Sequence, residues 1–223
     1  MSFYFKKVSS EEYQTLILDA KEIERDPYGI KVYLLNNGKY LKLFRTKRLI
    51  SSAIVFPYAL RFKRNANKLS QLNVPTVSVE TVFSVPTIKR HGVIYNPLEG
   101  QTVRDYAKKN SVDEEFFYSL GKFLAELHQK GIYFRSVHFG NIIITPDKQL
   151  GLIDVADMKI RPFSLGHLKR LRNLKHLLHY KGDIKLLPES QVLEKGYLSF
   201  SQIQNKFFIK HLYRIISELK DSV

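Results

Sequence analysis

Hydrophobic and polar positions change their spacing near residue 100, and the two halves of the chain predict different elements. Lys31-Val-Tyr-Leu-Leu35 and Lys39-Tyr-Leu-Lys-Leu-Phe44 are β-rich runs on either side of Asn36-Asn37-Gly38, a turn-forming tripeptide, which predicts a hairpin. From Ser51 to Leu72, apolar residues at Tyr58, Phe62, Ala66, Leu69 and Leu72 recur near the helical period until Asn73-Val74-Pro75 ends the pattern. Val77 to Val85 and His91 to Tyr95 read as strands, the second followed by a Pro97-Leu-Glu-Gly100 turn. The first hundred residues thus predict β-β-α-β-β.

Beyond Gly100 the helical period dominates. A short helix is predicted from Thr102 to Lys109 and a longer one from Asp113 to Gln129, with Phe116, Leu120, Phe123, Leu124 and Leu127 on one face. Asp113, Glu114 and Glu115 complement its N-terminal dipole, and Gly131 supplies a C-terminal stop. Ile142 to Thr145 and Leu150 to Ile153, joined by Pro146-Asp-Lys-Gln149, predict a second hairpin, with Asn141 before one strand and Asp154 after the other. From Ser164 onward the chain reads as helical, with Leu165, Leu168, Leu171, Leu174 and Leu178 on one stripe. There are no internal repeats, low-complexity tracts or extended linkers.

Composition narrows the chemistry. The 223 residues are 44% hydrophobic and contain no cysteine, which argues for a folded core and excludes disulfides, thiolate zinc sites and thiol nucleophiles. No apolar run approaches the roughly 18 residues of a membrane span, Ala53 to Leu60 being the longest candidate and containing Pro57. The N-terminus lacks the apolar core of a signal peptide and passes into acidic, helix-like sequence at Glu11-Glu12, so a cytoplasmic location is expected.

The net charge of +15 is unevenly spread: residues 27 to 79 hold ten Lys or Arg and no Asp or Glu. A second basic segment runs through Lys169, Arg170, Arg172 and Lys175, with His167, His176 and His179 interspersed. Such stripes suit an anionic partner or a solvated basic surface. A nucleic-acid binder would rest on charge alone, since no recognised motif accompanies it.

The candidate chemistry lies in Phe134-Arg135-Ser136-Val137-His138-Phe139-Gly140-Asn141 and, thirteen residues after Asn141, Asp154-Val155-Ala156. Kinase-type folds carry a base Asp, a metal-binding Asn five residues later and a further metal-binding Asp. Here Asn141 and Asp154 keep the metal pair, and Ser136 occupies the base position. With the β-rich first hundred residues and Tyr95 to Gly100 as a hinge, this resembles the protein-kinase-like superfamily. It is nearer to bacterial small-molecule kinases, whose loop reads H-x-D-x-H-x-x-N, than to eukaryotic protein kinases. Lys39 to Arg45 and Leu152 to Asp157 look most like Gram-negative heptose or Kdo kinases of the lipopolysaccharide core, some labelled toluene-tolerance proteins. The resemblance spans about residues 25 to 185.

What the resemblance implies is a single α+β, bilobal kinase-like domain over 1–223, with a small β-rich N-lobe (1–96) and a mainly helical C-lobe (97–223). It implies ATP and Mg²⁺ as cofactors, Asn141 and Asp154 as metal ligands, Lys42 on the phosphates, and Glu99 and Gly100 at an adenine-reading hinge. Ser136, His138 and Arg135 are the catalytic-loop candidates. Lys42 could instead face outward, Glu99-Gly100 could be a plain turn, Asp157 could cap or reach the metal, and Arg135 could orient the loop, touch an anion or only pack. The nucleotide-covering loop, between Glu22 and Val32, holds Gly29 alone, and no acid between 27 and 79 can serve as a helix-C glutamate. The implied function is transfer of the ATP γ-phosphate to a core sugar, with the nucleotide and an anionic glycolipid or core oligosaccharide as partners and the chain peripheral to the inner membrane. The alternative is an inactive pseudokinase that binds nucleotide or scaffolds envelope biosynthesis.

Overall fold

A computed structural model describes residues 5–46, 57–110, 112–177 and 180–221. Its architecture is mixed α+β, and the chain divides into two compact units, Met1–Leu98 and Glu99–Val223.

The first unit is a sheet with helices on both faces. Its strands are β1 (Lys6–Lys7), β2 (Lys21–Asp26), β3 (Gly29–Leu34), β4 (Tyr40–Arg45), β5 (Ser78–Val85) and β6 (Arg90–Asn96). They lie in the order β1-β5-β6-β4-β3-β2, with β1 parallel to β5 and every other pair antiparallel. The Asn36-Asn37-Gly38 hairpin joins β3 to β4 as expected, with Val32 opposite Lys42. The segment expected to be a nucleotide-covering loop is itself a hairpin, β2 running back along β3.

Period-two alternation sends Leu41 and Leu43 to one face, where they form a core with Tyr13, Tyr33, Phe83 and Val85. Tyr13 belongs to the Ser10–Ile17 helix, which starts at a capping box: Ser9 accepts from the Glu12 N–H, and the Glu12 carboxylate accepts from the Ser9 N–H. The Tyr58–Gln71 helix packs on the opposite face, through Phe62 against Phe44 and Tyr95 at ring separations of 5.9 and 5.3 Å. The expected start of this helix at Ser51 falls on residues 51–56, outside the described residues, as do Lys47 and Arg48.

The second unit is built on two crossing helices, Glu114–Gln129 and Val192–Ser201. Their backbones nearly touch. A Cβ on Gly121 would lie 2.0 Å from the Leu193 carbonyl oxygen, and one on Gly196 would lie 2.0 Å from that of Tyr118. The unit also holds three short strands in a sheet ordered β10-β9-β7: β7 (Gln101–Thr102), β9 (Ile142–Ile144) and β10 (Leu150–Leu152). A further pair joins β8 (Ile132–Phe134) to β11 (Met158–Ile160).

The remaining helices described are Val103–Lys109, His167–Leu177, Lys181–Ile184 and Lys206–Lys220. The leucine stripe expected after Ser164 is only partly right. Leu165, Leu171 and Leu174 are buried, but Leu168 is 74% exposed. Steps of three fall short of the 3.6-residue turn, so the pattern walks around the helix, and the buried side is instead Arg170, Leu171, Asn173, Leu174 and Leu177. Leu178 and His179 lie outside the described residues.

Candidate functional site

The segment from Phe134 to Asp154 is held at its start by a buried polar cluster. Asn173 donates from Nδ2 to the Phe134 carbonyl (2.6 Å) and accepts at Oδ1 from the Phe134 N–H (3.2 Å), so one side chain clamps both backbone groups at the end of β8. His128 stands behind it, its Nε2 3.2 Å from Asn173 Oδ1 and its Nδ1 2.8 Å from the Tyr197 hydroxyl. Arg170 donates to that hydroxyl and to the Leu165 carbonyl. Burial, with the nearby Arg170 charge, pushes the His128 pKa down to about 3.

A second cluster fastens the middle of the loop. Asp183, 1% exposed by its side chain, accepts from Arg104 Nε (2.7 Å) and Nη2 (2.8 Å) and from the Phe139 N–H (2.9 Å). His138 lies against Arg104 and meets the Tyr180 ring edge-on, at a centroid separation of 4.6 Å. Its Nδ1 accepts from the Gly140 N–H at 3.1 Å. Desolvation, then Arg104, lowers its pKa against the opposing pull of Asp183 and Asp154. The neutral ring therefore has Nδ1 as acceptor and carries its proton on Nε2.

Asn141 and Asp154 come together at one end of the β9–β10 ribbon, where the Ile153 N–H donates to the Asn141 carbonyl at 3.1 Å. The Asn141 amide donates from Nδ2 to the Ser136 carbonyl (2.9 Å), which commits its nitrogen and leaves Oδ1 as the available oxygen. Asp154 sits in the left-handed region at φ 54, ψ 46 before a 3₁₀ turn at Val155–Asp157. Asp and Asn are the non-glycine residues that tolerate this region best, and Asp19, Asn73, Lys89, Lys148 and Gln202 adopt it too. One carboxylate and one amide oxygen are hard donors that suit Mg²⁺, whose remaining positions phosphate oxygens and water would fill. Among the described residues no group of three or more His, Cys, Asp or Glu gathers as a self-sufficient metal cage.

The other expected residues are placed as follows. Ser136 is half-buried within the loop. Arg135 is exposed, its N–H bonded to the Asp157 carbonyl (3.4 Å) and its Nε 3.9 Å from the Asp157 carboxylate. Glu99 is exposed. Gly100 has a structural reason to be glycine: at φ 130, a Cβ there would lie 2.1 Å from the Ile144 carbonyl oxygen.

In the Met1–Leu98 unit, Lys42 is 8% exposed and so does not face outward. It shares its face of β4 with Phe44, whose ring centroid is 5.9 Å from Nζ, on the side of the sheet covered by the Tyr58–Gln71 helix. That helix buries Asn65 and carries no acid. The turn at Asp26 to Gly29 is pinned: Arg90 donates to the Tyr28 carbonyl (2.7 Å), and the Arg45 guanidinium stacks 3.7 Å over the Tyr28 ring.

Sequence reasoning did not single out Arg104, His128, Asn173, Asp183 or Tyr197. One signal was available for Asp183, the sole acid between Asp157 and Glu189 in a strongly basic stretch. A lone carboxylate there has no shortage of cationic partners. No protein-family model matches the chain. A search of curated proteins likewise finds no match.

Proposed function

We propose that the chain is a protein-kinase-like phosphotransferase of the lipopolysaccharide core kinase group, moving the ATP γ-phosphate to a sugar hydroxyl. The observation that carries this reading is the treatment of Asn141: its amide nitrogen is tied to Ser136, so its oxygen is oriented, and a backbone bond from Ile153 brings Asp154 beside it. An oriented amide oxygen next to a carboxylate at the end of one ribbon supplies two hard oxygen donors for a single Mg²⁺. The strand order β2-β3-β4-β6-β5, with a helix between β4 and β5 and a buried lysine on β4, adds support.

In this reading Asn141 and Asp154 hold Mg²⁺, and Lys42 neutralises phosphate charge. Mg²⁺ would supply charge neutralisation on the transferring phosphoryl group. The acceptor oxygen forms its bond to the γ-phosphorus as the bond to the β,γ-bridging oxygen breaks, and the hydroxyl proton passes to water or phosphate. Ser136 is no base near neutral pH, and the His138 atom that could accept a proton is already occupied by Gly140. His138 is thus a positioning residue. The loss of a base costs about 10²–10⁴ in rate, but phosphoryl transfer depends chiefly on positioning and charge stabilisation. The basic stripes suit the anionic core oligosaccharide at the inner-membrane face.

A pseudokinase that binds nucleotide to regulate envelope biosynthesis is the second reading. Ser136 favours it, as does Asn65, an amide on the helix where an acid would pair Lys42. Calorimetric titration with Mg·ATP, run on the wild type and Asp154→Ala, tests the first claim. Binding is expected in the wild type and lost in the variant; no binding in either rejects both readings. Phosphate transfer to core oligosaccharide then separates enzyme from regulator. Ser136→Asp should accelerate transfer by about 10²–10⁴ if only the base is missing.

A further inference from the structure

The solvent faces of two helices in the second unit set exposed apolar residues among cations. On the His167–Leu177 helix, Leu168, Arg172 and Lys175 lie within one arc of about 60° at a helical turn of about 100° per residue. All three are exposed, and Leu168 falls between the two cations. On the Lys206–Lys220 helix, Phe207, Lys210 and Arg214 make a matching exposed arc, with Phe207 54% accessible. The His167 and Phe208 rings meet at 5.2 Å, so the first turns of the two helices, and with them Leu168 and Phe207, come to the same end of the pair. Phe163, in the segment that leads into the His167–Leu177 helix, is a third exposed apolar residue, with the Arg161 guanidinium 5.9 Å from its ring centre.

Acids do not offset these cations. No Asp or Glu occurs from Met158 to Gly182, Asp183 is buried against Arg104, and Glu218, the one acid of the Lys206–Lys220 helix, is paired with Arg214 at 3.2 Å. Lys169, Arg172, Lys175, Lys206 and Lys210 are exposed, and none of them is paired with a carboxylate among the described residues. Cations alone suit any polyanion. Leu168, however, offers a nucleic acid neither a stacking ring nor a hydrogen bond. At a bilayer, outward Leu and Phe enter the boundary between headgroups and acyl chains, while Lys and Arg stay among anionic headgroups. We propose that this end of the second unit docks on an anionic phospholipid bilayer, with Leu168 and Phe207 inserted and the flanking cations on the headgroups. None of these residues belongs to the phosphotransferase site, and docking holds whether or not that site is active.

The chain has no cysteine, so a single-cysteine variant carries an environment-sensitive fluorophore at one chosen place. Labels on Leu168→Cys and Phe207→Cys should shift to the blue when vesicles of phosphatidylcholine and phosphatidylserine are added. A label on Glu114→Cys should not. Glu114 begins the Glu114–Gln129 helix, about 20 Å along its axis from His128, whose carbonyl accepts from the Leu165 N–H beside this surface. Co-sedimentation of the full chain with the same vesicles at fixed salt then measures affinity. Leu168→Gln and Phe207→Gln leave the charge at +15, so attraction by charge alone predicts no change. Insertion predicts a loss of about tenfold for each. An unshifted label at either position, an equal shift at Glu114→Cys, or unchanged affinity in either Gln variant overturns the proposal. So does a single-stranded oligonucleotide that shifts both labels and displaces the protein from the vesicles, an outcome that makes the partner a nucleic acid.

Discussion

Burial keeps His128 neutral behind the Asn173 clamp, which makes acid stability in part a property of one residue. The unfolded chain takes up a proton on His128 near pH 6.5, whereas the folded chain resists it until about pH 3. The contribution is therefore complete above about pH 6.5 and is lost as pH falls, by about 1.4 kcal/mol per pH unit across that window. Urea denaturation at pH 7, 6, 5 and 4 should show this slope, and His128→Gln should reduce it by about one proton. Asp183 belongs to the same scale. Asp183→Ala leaves Arg104 without its carboxylate and the Phe139 N–H without an acceptor, so a loss of about 3–5 kcal/mol is expected on unfolding. On the phosphotransferase reading, transfer should fall further than unfolding alone explains, because the variant releases the loop between Ser136 and Asn141.

At the scale of elements, the Glu114–Gln129 and Val192–Ser201 helices approach closely only because Gly121 and Gly196 face each other's backbones. Alanine at either position would gain up to about 1 kcal/mol in helix propensity. It would also force a Cβ to 2.0 Å from a carbonyl oxygen. Net destabilisation of about 1–3 kcal/mol is expected for Gly121→Ala or Gly196→Ala in chemical denaturation. The double variant should cost less than the sum, since helices separated by one methyl have already made room for the other.

The same elements show what was readable beforehand. Tyr58–Gln71, Val103–Lys109, Glu114–Gln129, β3 to β6 and the β9–β10 ribbon follow local periodicity and turn residues, and their boundaries fall within a few residues of those expected outside the undescribed segments. β7, β8 and β11 run for only two or three residues, too short for any period to register. They exist because partners elsewhere in the chain complete their hydrogen bonds.

For the whole molecule, the charge of +15 has a measurable consequence whichever reading of the second unit holds. Binding to vesicles containing anionic lipid should be strong at about 0.01–0.05 M salt and weaken steeply toward 0.5 M, as the Debye length shrinks below the charge spacing. Sedimentation with vesicles checks this, and binding that is indifferent to salt would point to apolar insertion instead. Among the described residues no helix is long and apolar enough to cross a membrane.

The sequence by itself determined the elements with a sustained period, the absence of cysteine chemistry, the basic stripes and the spacing of Ser136, Asn141 and Asp154. All of these are local properties, carried by composition or by neighbours along the chain. Tertiary structure alone decided that Lys42 is buried, that Asn141 gives its nitrogen to Ser136 and that His138 is engaged at Nδ1. It also decided that Asp183, forty-four residues from Phe139, anchors the loop. A buried polar group is stable only with a partner, and that partner is chosen by the packing of distant segments, which no window of sequence contains.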